Sequence, residues 1–396
     1  MVAAAHYKVH ATDTMSQGIE LRMTENSWRE QLVYFVHRGL SDWQDLDQQI
    51  ERHGLDQVLL GCRNGRDAWV ISTYTRLRRR GYPVKLVDHF VPGALCIAHR
   101  DDIASAPGLW RSFNVAIRAD RERTFISDLE VVQSPAVVDA PGVYYLPHWP
   151  QPALIPRDPE RGDRFERIGF FGPRKNLAAC FRTPEFAEQL QALGVELVIQ
   201  EEREQWHDYS DIDAVFAVRD GQPYFLAGKP PAKLLNAWRA GCPAFVGSEP
   251  AFHYYRCTED DFIYVKTPEE LLWHLRQLRE SPEGYQRLRR RAEQRGSTFT
   301  ESYTAEAWAR FLENIAIPDY HAWRARPTWR RDASVLLSHG WGLCRRRLRG
   351  TLYTRGYDLN GNPIKKNLTL KRRLALAMDR ILSISDQRRR RKSLRN

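Results

Sequence analysis

Gly228-Lys-Pro-Pro-Ala-Lys-Leu-Leu-Asn-Ala-Trp-Arg-Ala-Gly241-Cys-Pro243, continued by Ala244-Phe-Val246-Gly-Ser-Glu249-Pro250, reads as a loop that becomes a helix, stops at a glycine and enters a buried strand. Gly228 offers a free backbone angle, and two prolines suit a first helical turn, where their missing N–H groups have no partner anyway. A helix is predicted to start near Ala232, with Gly241-Cys-Pro243 as left-handed cap and stop. Its free N–H groups and positive dipole end form an anion site, to which Lys229 and Lys233, one turn apart, add two charges. Asn236 continues that face. The expected ligand is a phosphate or diphosphate; spacing alone leaves open the alternative of a solvated lysine face.

The run Lys-Pro-Pro-x-Lys-Leu-x-Asn-Ala-Trp-x-Ala-Gly-x-Pro from Lys229 to Pro243, with Glu249-Pro250 after the next strand, resembles the nucleotide-sugar-binding half of GT-B glycosyltransferases of the group-1 type. The resemblance covers residues 163 to 316 well and 28 to 160 in outline. It implies two Rossmann-like domains facing a central cleft, and a transferase of hexosyltransferase type. Members of that family hold the donor ribose with a glutamate in an E-x7-E pattern. Here the two positions are Gly228 and Asn236, so the pattern is absent, and Asn236 is left to hydrogen-bond a ribose hydroxyl.

The chain has 396 residues, which suits two domains. With 28 % charged and 42 % hydrophobic residues it has a globular composition. No apolar run reaches the roughly 18 residues of a membrane span, and the start lacks a signal-peptide pattern, so a cytoplasmic location is expected. Six scattered cysteines without a C-x-x-C pair predict reduced core thiols. The net charge of +11 is uneven: residues 320–396 hold 21 Lys and Arg against 4 Asp, a balance of +17, which leaves −6 for residues 1–319. A mildly acidic body with a basic appendage points to an enzyme held at an anionic membrane surface rather than to a nucleic-acid binder. Within that tail Leu370, Leu374, Met378, Ile381 and Leu382 form a helical stripe opposite Lys371, Arg372 and Arg380. The other reading has this stripe packed on the enzyme.

Residues 1–28 show little periodicity and are expected to be loosely ordered. An acceptor domain is predicted for 29–146, with strands at Leu32–Val36, Gln57–Leu60, Val84–Val87, Leu95–Ala98, Val115–Arg118, Leu129–Val132 and Val143–Leu146. Asp67 is predicted to cap a helix from Ala68 to about Arg80. Ligands of such sheets lie beyond the strands' carboxyl ends, which draws attention to Asn64 and Gly65 in the Gly61–Asp67 loop as a wall facing an acceptor or the donor phosphates; an ordinary βα turn is the other reading, and a lone G-x-x-x-G favours it. For the general base two histidines compete: His99, beside Asp101 and Asp102, and His89; either can be merely structural. Five prolines between Pro147 and Pro159 mark the linker 147–162. The resemblance implies that this segment crosses the cleft, which would put His148 and Trp149 near bound sugar; packing at the hinge is the other reading for Trp149.

The second domain, 163–319, is predicted to carry strands at Ile168–Phe171, Val195–Ile199, Ala214–Val218, Ala244–Val246 and Phe262–Val265, closed by a helix at Ser302–Ile315. Gly172, Arg174 and Lys175 leave its first strand, and Arg219 its third. The resemblance places cations there against the donor diphosphate, whose departing charge they stabilise without a metal or other cofactor. Glu249 is expected to hold sugar hydroxyls, with a plain loop acid as the other reading. Asp211-Ile-Asp213 has the spacing of a metal grip but immediately precedes a strand, and no metal is predicted. The partners expected are a nucleotide sugar and a glycan or lipid-linked acceptor. A GT-B-like epimerase is the alternative, and a nucleic-acid-binding protein built on the tail a weaker one.

Overall fold

The computed structural model describes residues 30–103, 111–121, 123–124, 126–138, 140–221 and 223–329, with 331, 337, 340 and 344 beyond them. The expectations for residues 1–28 and for the helical stripe at Leu370–Leu382 lie outside the described residues.

Two parallel sheets organise the chain. The first holds β1 (Val33–Val36), β2 (Val84–Val87), β3 (Leu95–His99), β4 (Phe113–Ala119), β5 (Leu129–Val132) and β6 (Val143–Tyr145), in the order β2-β1-β3-β4-β5-β6. The second holds β7 (Arg167–Phe171), β8 (Glu196–Gln200), β9 (Ala214–Ala217), β10 (Ala244–Val246) and β11 (Ile263–Tyr264), in the order β11-β10-β9-β7-β8. Both are doubly wound and Rossmann-like. In each the direction of strand progression reverses beside the first strand, between β1 and β3 and between β7 and β9, and such reversals open a ligand crevice at the carboxyl ends.

Burial explains these strands. All residues of β3 and β4 are buried, as expected of central parallel strands covered on both faces. In the second sheet alternation sorts the side chains into two layers. Ile168, Phe170, Ala214, Phe216 and Phe245 pack with Phe181, Phe186, Leu271 and Tyr285. Phe171, Val215, Ala217, Ala244 and Val246 pack on the other face with Leu234, Leu235, Trp238 and Phe252.

The helix at the centre of the sequence argument spans Ala232–Arg239. Gly241 has φ +71°, its N–H donates to Trp238 O and the Cys242 N–H to Ala237 O, a two-bond stop that needs a left-handed residue. Helix Pro282–Thr298 lies so close against it that a Cβ on Gly296 would stand 2.3 Å from Trp238 O, so glycine alone fits there. Gly228, by contrast, does not use a left-handed backbone.

Three expectations are corrected. Gln57–Leu60 is not a strand but the end of helix Leu55–Leu60, because Leu55, Val58 and Leu59 fall on one helical face and are the buried residues. Asp67 does not cap its helix: Asn64 Oδ1 accepts the Asp67 N–H at 3.0 Å, and helix runs through a wide turn at Asp67–Ile71 into Ser72–Arg79. The Ser302–Ile315 stripe does not close the second domain. Glu301–Phe311, Leu312–Ala316 and Ile317–Ala325 form one continuous helical arm, widened just before Pro318, which cannot donate to the preceding turn. Its Trp308, Phe311, Leu312, Tyr320 and Trp323 join Phe35 and Phe113 in the core of the first sheet. Glu301 anchors the arm's start, accepting Arg76 Nε at 2.9 Å and Arg80 Nη1 at 2.9 Å, and the Tyr320 hydroxyl donates to Gly93 O at 2.8 Å. The chain therefore crosses between the domains twice, once through the proline-rich linker and once here.

No helix among the described residues is long and apolar enough to cross a membrane. Cys62, Cys96 and Cys242 are buried free thiols, whereas Cys180 and Cys257 are exposed.

Candidate functional site

The crevices of the two sheets meet in one cleft, which encloses about 410 Å³. From the second domain Gly172, Arg219, Lys229, Lys233 and Asn236 line it; from the first, Cys62, Ser72 and Asp120; from the linker, His148, Trp149 and Gln151.

The cationic wall is built at the β7/β9 reversal. Lys233 rises from the first turn of helix Ala232–Arg239, and its Nζ lies 3.6 Å from the Phe170 ring centre. A Cβ on Gly172, whose φ is +140°, would come within 3.4 Å of that Nζ, so this glycine lets the ammonium approach the backbone. Among the described residues no carboxylate is within ion-pair distance of Lys233. Burial first, then the neighbouring Arg219, pull its ammonium well below the ordinary lysine range, and Glu249 offsets only part of this. Arg219 is held by Glu249, Nε to Oε1 at 2.8 Å. Glu249 is 1 % exposed, and burial pushes its carboxyl upward against the charges of Arg219 and Lys233. Expected to hold sugar hydroxyls, Glu249 does not line the cavity; its carboxylate meets Arg219, which does.

Lys229 also lines the cleft, but its Nζ donates to Asp120 Oδ2 across the domains at 2.7 Å. Asn236 turns its carbonyl toward the linker, accepting the Gln151 N–H at 3.3 Å. Arg174 and Lys175 are exposed and do not line the cavity. Arg174 faces outward and pairs with Glu201, whose Oε1 accepts the Arg174 backbone N–H at 2.8 Å. A place after a strand fixes the end of the sheet, not the direction of a long side chain. Asp211 and Asp213 are both engaged by arginines: Arg167 and Arg161 hold Asp211, and Arg157 and Arg161 hold the fully buried Asp213.

In the first domain the β1/β3 reversal gathers a buried polar cluster that sequence reading found only in part. His99, at the end of β3, is 2 % exposed, with its Nε2 beside Gly65 and its Nδ1 3.6 Å from Asp101 Oδ2. His37, one residue past β1, meets Asp67, Nε2 to Oδ1 at 2.9 Å. Asp102 pairs with Arg66 at 3.2 Å. Burial raises Asp67, but the His37 and Arg63 hydrogen bonds outweigh it and hold the carboxyl low; burial prevails at Asp102 and raises it. His37 was missed because a lone histidine after a strand carries no spacing signal. Asn64 is spent on its helix cap, and His89, 73 % exposed at its side chain, pairs with neighbouring Asp88 away from the cavity. His148 lines the cleft with its ring edge-on to Trp69, and burial holds it below the ordinary histidine range.

Burial, opposed by Asp101 and reinforced by Arg121 and Arg66, takes His99 down to about 4. The folded state thus binds a proton less readily than the unfolded chain, near 6.5. Stability is therefore full above about pH 6.5 and falls as pH drops toward 4, by on the order of 3 kcal/mol. Urea unfolding at about pH 7 and about pH 4.5 should show this loss, reduced in His99→Gln; an equal loss in both proteins would remove His99 as its source.

No family model matches the chain, and no curated protein does. Among solved structures it is similar to a sucrose-phosphate synthase from Thermosynechococcus elongatus, with TM-score 0.46 and 10 % identity over 73 % of this chain and 100 % of that one. It is also similar to HepE of Anabaena in complex with UDP and glucose, with TM-score 0.45 and 10 % identity over 72 % and 100 %. A third is AviGT4, a glycosyltransferase involved in avilamycin A biosynthesis, with TM-score 0.43 and 14 % identity over 73 % and 98 %. These likenesses are distant, and the assignment of fold stands on the strands themselves. Two doubly wound parallel sheets whose crevices open on a shared cleft give this chain the GT-B architecture.

Proposed function

We propose that the protein is a glycosyltransferase, of hexosyltransferase type, that takes a sugar from a nucleotide-diphosphate donor. The observation carrying this reading is the meeting of Lys233, Arg219 and the amino end of helix Ala232–Arg239 in one cavity at the β7/β9 reversal. When the bond between the sugar's anomeric carbon and the phosphate oxygen breaks, the nucleoside diphosphate leaves with added negative charge. Fixed cations in a partly dehydrated cleft stabilise that charge more than the ground state, which is what accelerates the step. Fixed cations can supply the positive charge that a metal would otherwise provide, and on that ground the reaction is proposed to be metal-independent.

The acceptor enters from the first-domain side, past His148, Trp149 and Asp120. A glycan or lipid-linked acceptor accords with the basic composition of 320–396, which would hold a cytoplasmic enzyme at an anionic membrane. Since Tyr320 and Trp323 belong to the core, a chain ending at residue 329 is the right comparison, and unchanged flotation with anionic vesicles would dismiss this contact. An epimerase would need two carboxylates around one sugar carbon, and Asp120 is the single carboxylate among the described lining residues.

A thermal-shift panel of nucleoside diphosphates in excess chelator tests the donor site. A ligand at 100 times its Kd stabilises by about 2.7 kcal/mol, so at least one diphosphate should raise the melting temperature measurably. Absence of any shift would reject the donor site, and a shift that appears only without chelator would reject metal independence.

A further inference from the structure

Asp120 has no part in the sequence argument, yet the fold takes unusual steps to place it. It follows β4, whose pairing with β5 slips register between Ile117 and Ala119. Ala119 adopts φ +51°, a left-handed conformation that disfavours a residue with a side chain and persists only when surroundings impose it. The bend turns Asp120 out of the sheet and into the cleft, where Oδ2 accepts from Lys229 Nζ at 2.7 Å. Close by, the Ser134 hydroxyl donates to Ala227 O at 2.5 Å, so the pair sits where the two domains touch. Burial raises the Asp120 carboxyl, but the hydrogen bond and charge of Lys229, then Arg121, outweigh it and keep the group ionised.

A carboxylate and a phosphate offer an ammonium the same thing, a pair of anionic oxygens. Lys229 lies in the loop that leads into helix Ala232–Arg239, four residues before Lys233, and both lysines line the same cavity. Building on the donor site proposed above, we infer that Asp120 is a stand-in for the donor's phosphate. In the empty cleft its carboxylate holds Lys229; a bound diphosphate takes Lys229 over and releases Asp120 to face the acceptor. Donor binding then precedes acceptor binding, because only the donor frees this carboxylate to accept a hydrogen bond from an acceptor hydroxyl. It also means that Asp120 competes with the donor and weakens its binding.

Calorimetric titration of the full-length protein with inorganic pyrophosphate at low salt tests this. Asp120→Asn, which keeps shape and removes the charge, should bind about fivefold more tightly than the parent, and Asp120→Ala should shift in the same direction. Lys229→Met should bind more weakly, and adding Asp120→Asn to it should change nothing further. Equal or weaker binding by both Asp120 variants would overturn the inference, as would a gain that persists without Lys229. If pyrophosphate binds the parent and Lys233→Met equally well, or binds neither, the donor site itself fails; a Lys233-dependent signal with no Asp120 effect sinks only the stand-in.

Discussion

Replacing Lys233 with methionine is expected to weaken nucleoside-diphosphate binding about 100-fold while making the empty protein more stable. The ammonium lies against the Phe170 ring, without a carboxylate at ion-pair distance among the described residues. Burial is the largest cause of its lowered proton affinity and Arg219 the next, so the charged form is disfavoured in the empty cleft. Methionine keeps the unbranched stem and its packing and removes the charge that is costly to bury. A gain of roughly 1 kcal/mol in unfolding free energy should follow. A bound phosphate supplies the missing counter-charge, and a charge-assisted hydrogen bond there contributes about 1.5–3 kcal/mol, which sets the loss at up to about 100-fold. Calorimetry gives the affinity and thermal unfolding without ligand the stability. A variant that binds as the parent does, or unfolds at a lower temperature, would show that Lys233 serves the fold rather than the ligand.

Asp213→Ala should cost about 4 kcal/mol of stability, among the largest single losses open to this chain. Its carboxylate, fully buried, accepts Arg157 Nη2 at 2.9 Å, Arg161 Nε at 2.8 Å and Nη2 at 2.9 Å, and the backbone N–H groups of Glu166 at 2.8 Å and Arg167 at 3.0 Å. Removing it leaves the buried Arg157 guanidinium without its carboxylate, leaves Arg161 with exposed carboxylates alone, and takes the acceptor from two amides at the point where the linker joins β7. Asp211→Ala, more than half exposed, should lose under about 1 kcal/mol. Urea midpoints compare the two, and equal small losses would contradict the account of Asp213 as the clip of the second domain.

Local signals on the sequence carried most of the fold. The start of helix Ala232–Arg239 and its stop at Gly241 follow from proline and glycine chemistry, and those rules act over a few residues. Asp211-Ile-Asp213 was rightly read as the entry to a strand. Gln57–Leu60 failed because a short apolar run between Gly54 and Gly61 suits either period, and only Leu55 tips it toward helix. The arm after Glu301 shows its apolar stripe in sequence, but a stripe does not name the sheet it will cover. At the site Lys229, Lys233, Arg219, Gly172, Asn236 and His148 come together around one cavity. Arg174 and Glu249 illustrate what was hidden: the one swings to Glu201 and the other retreats behind Arg219, and both outcomes depend on partners far along the chain. Asp120 was invisible because the bend at Ala119 that aims it has no sequence signature.

The double passage of the chain between its halves bears on how the cleft can open. One strap would let the halves swivel and twist freely, whereas two straps, at the proline-rich stretch and at the residues leading into Glu301, act as paired door hinges. Rotation about the line joining them remains easy, and torsion across it strains one strap or the other. Whatever the cleft binds would accordingly enter along a single swing, and the two walls return to the same register on every closure.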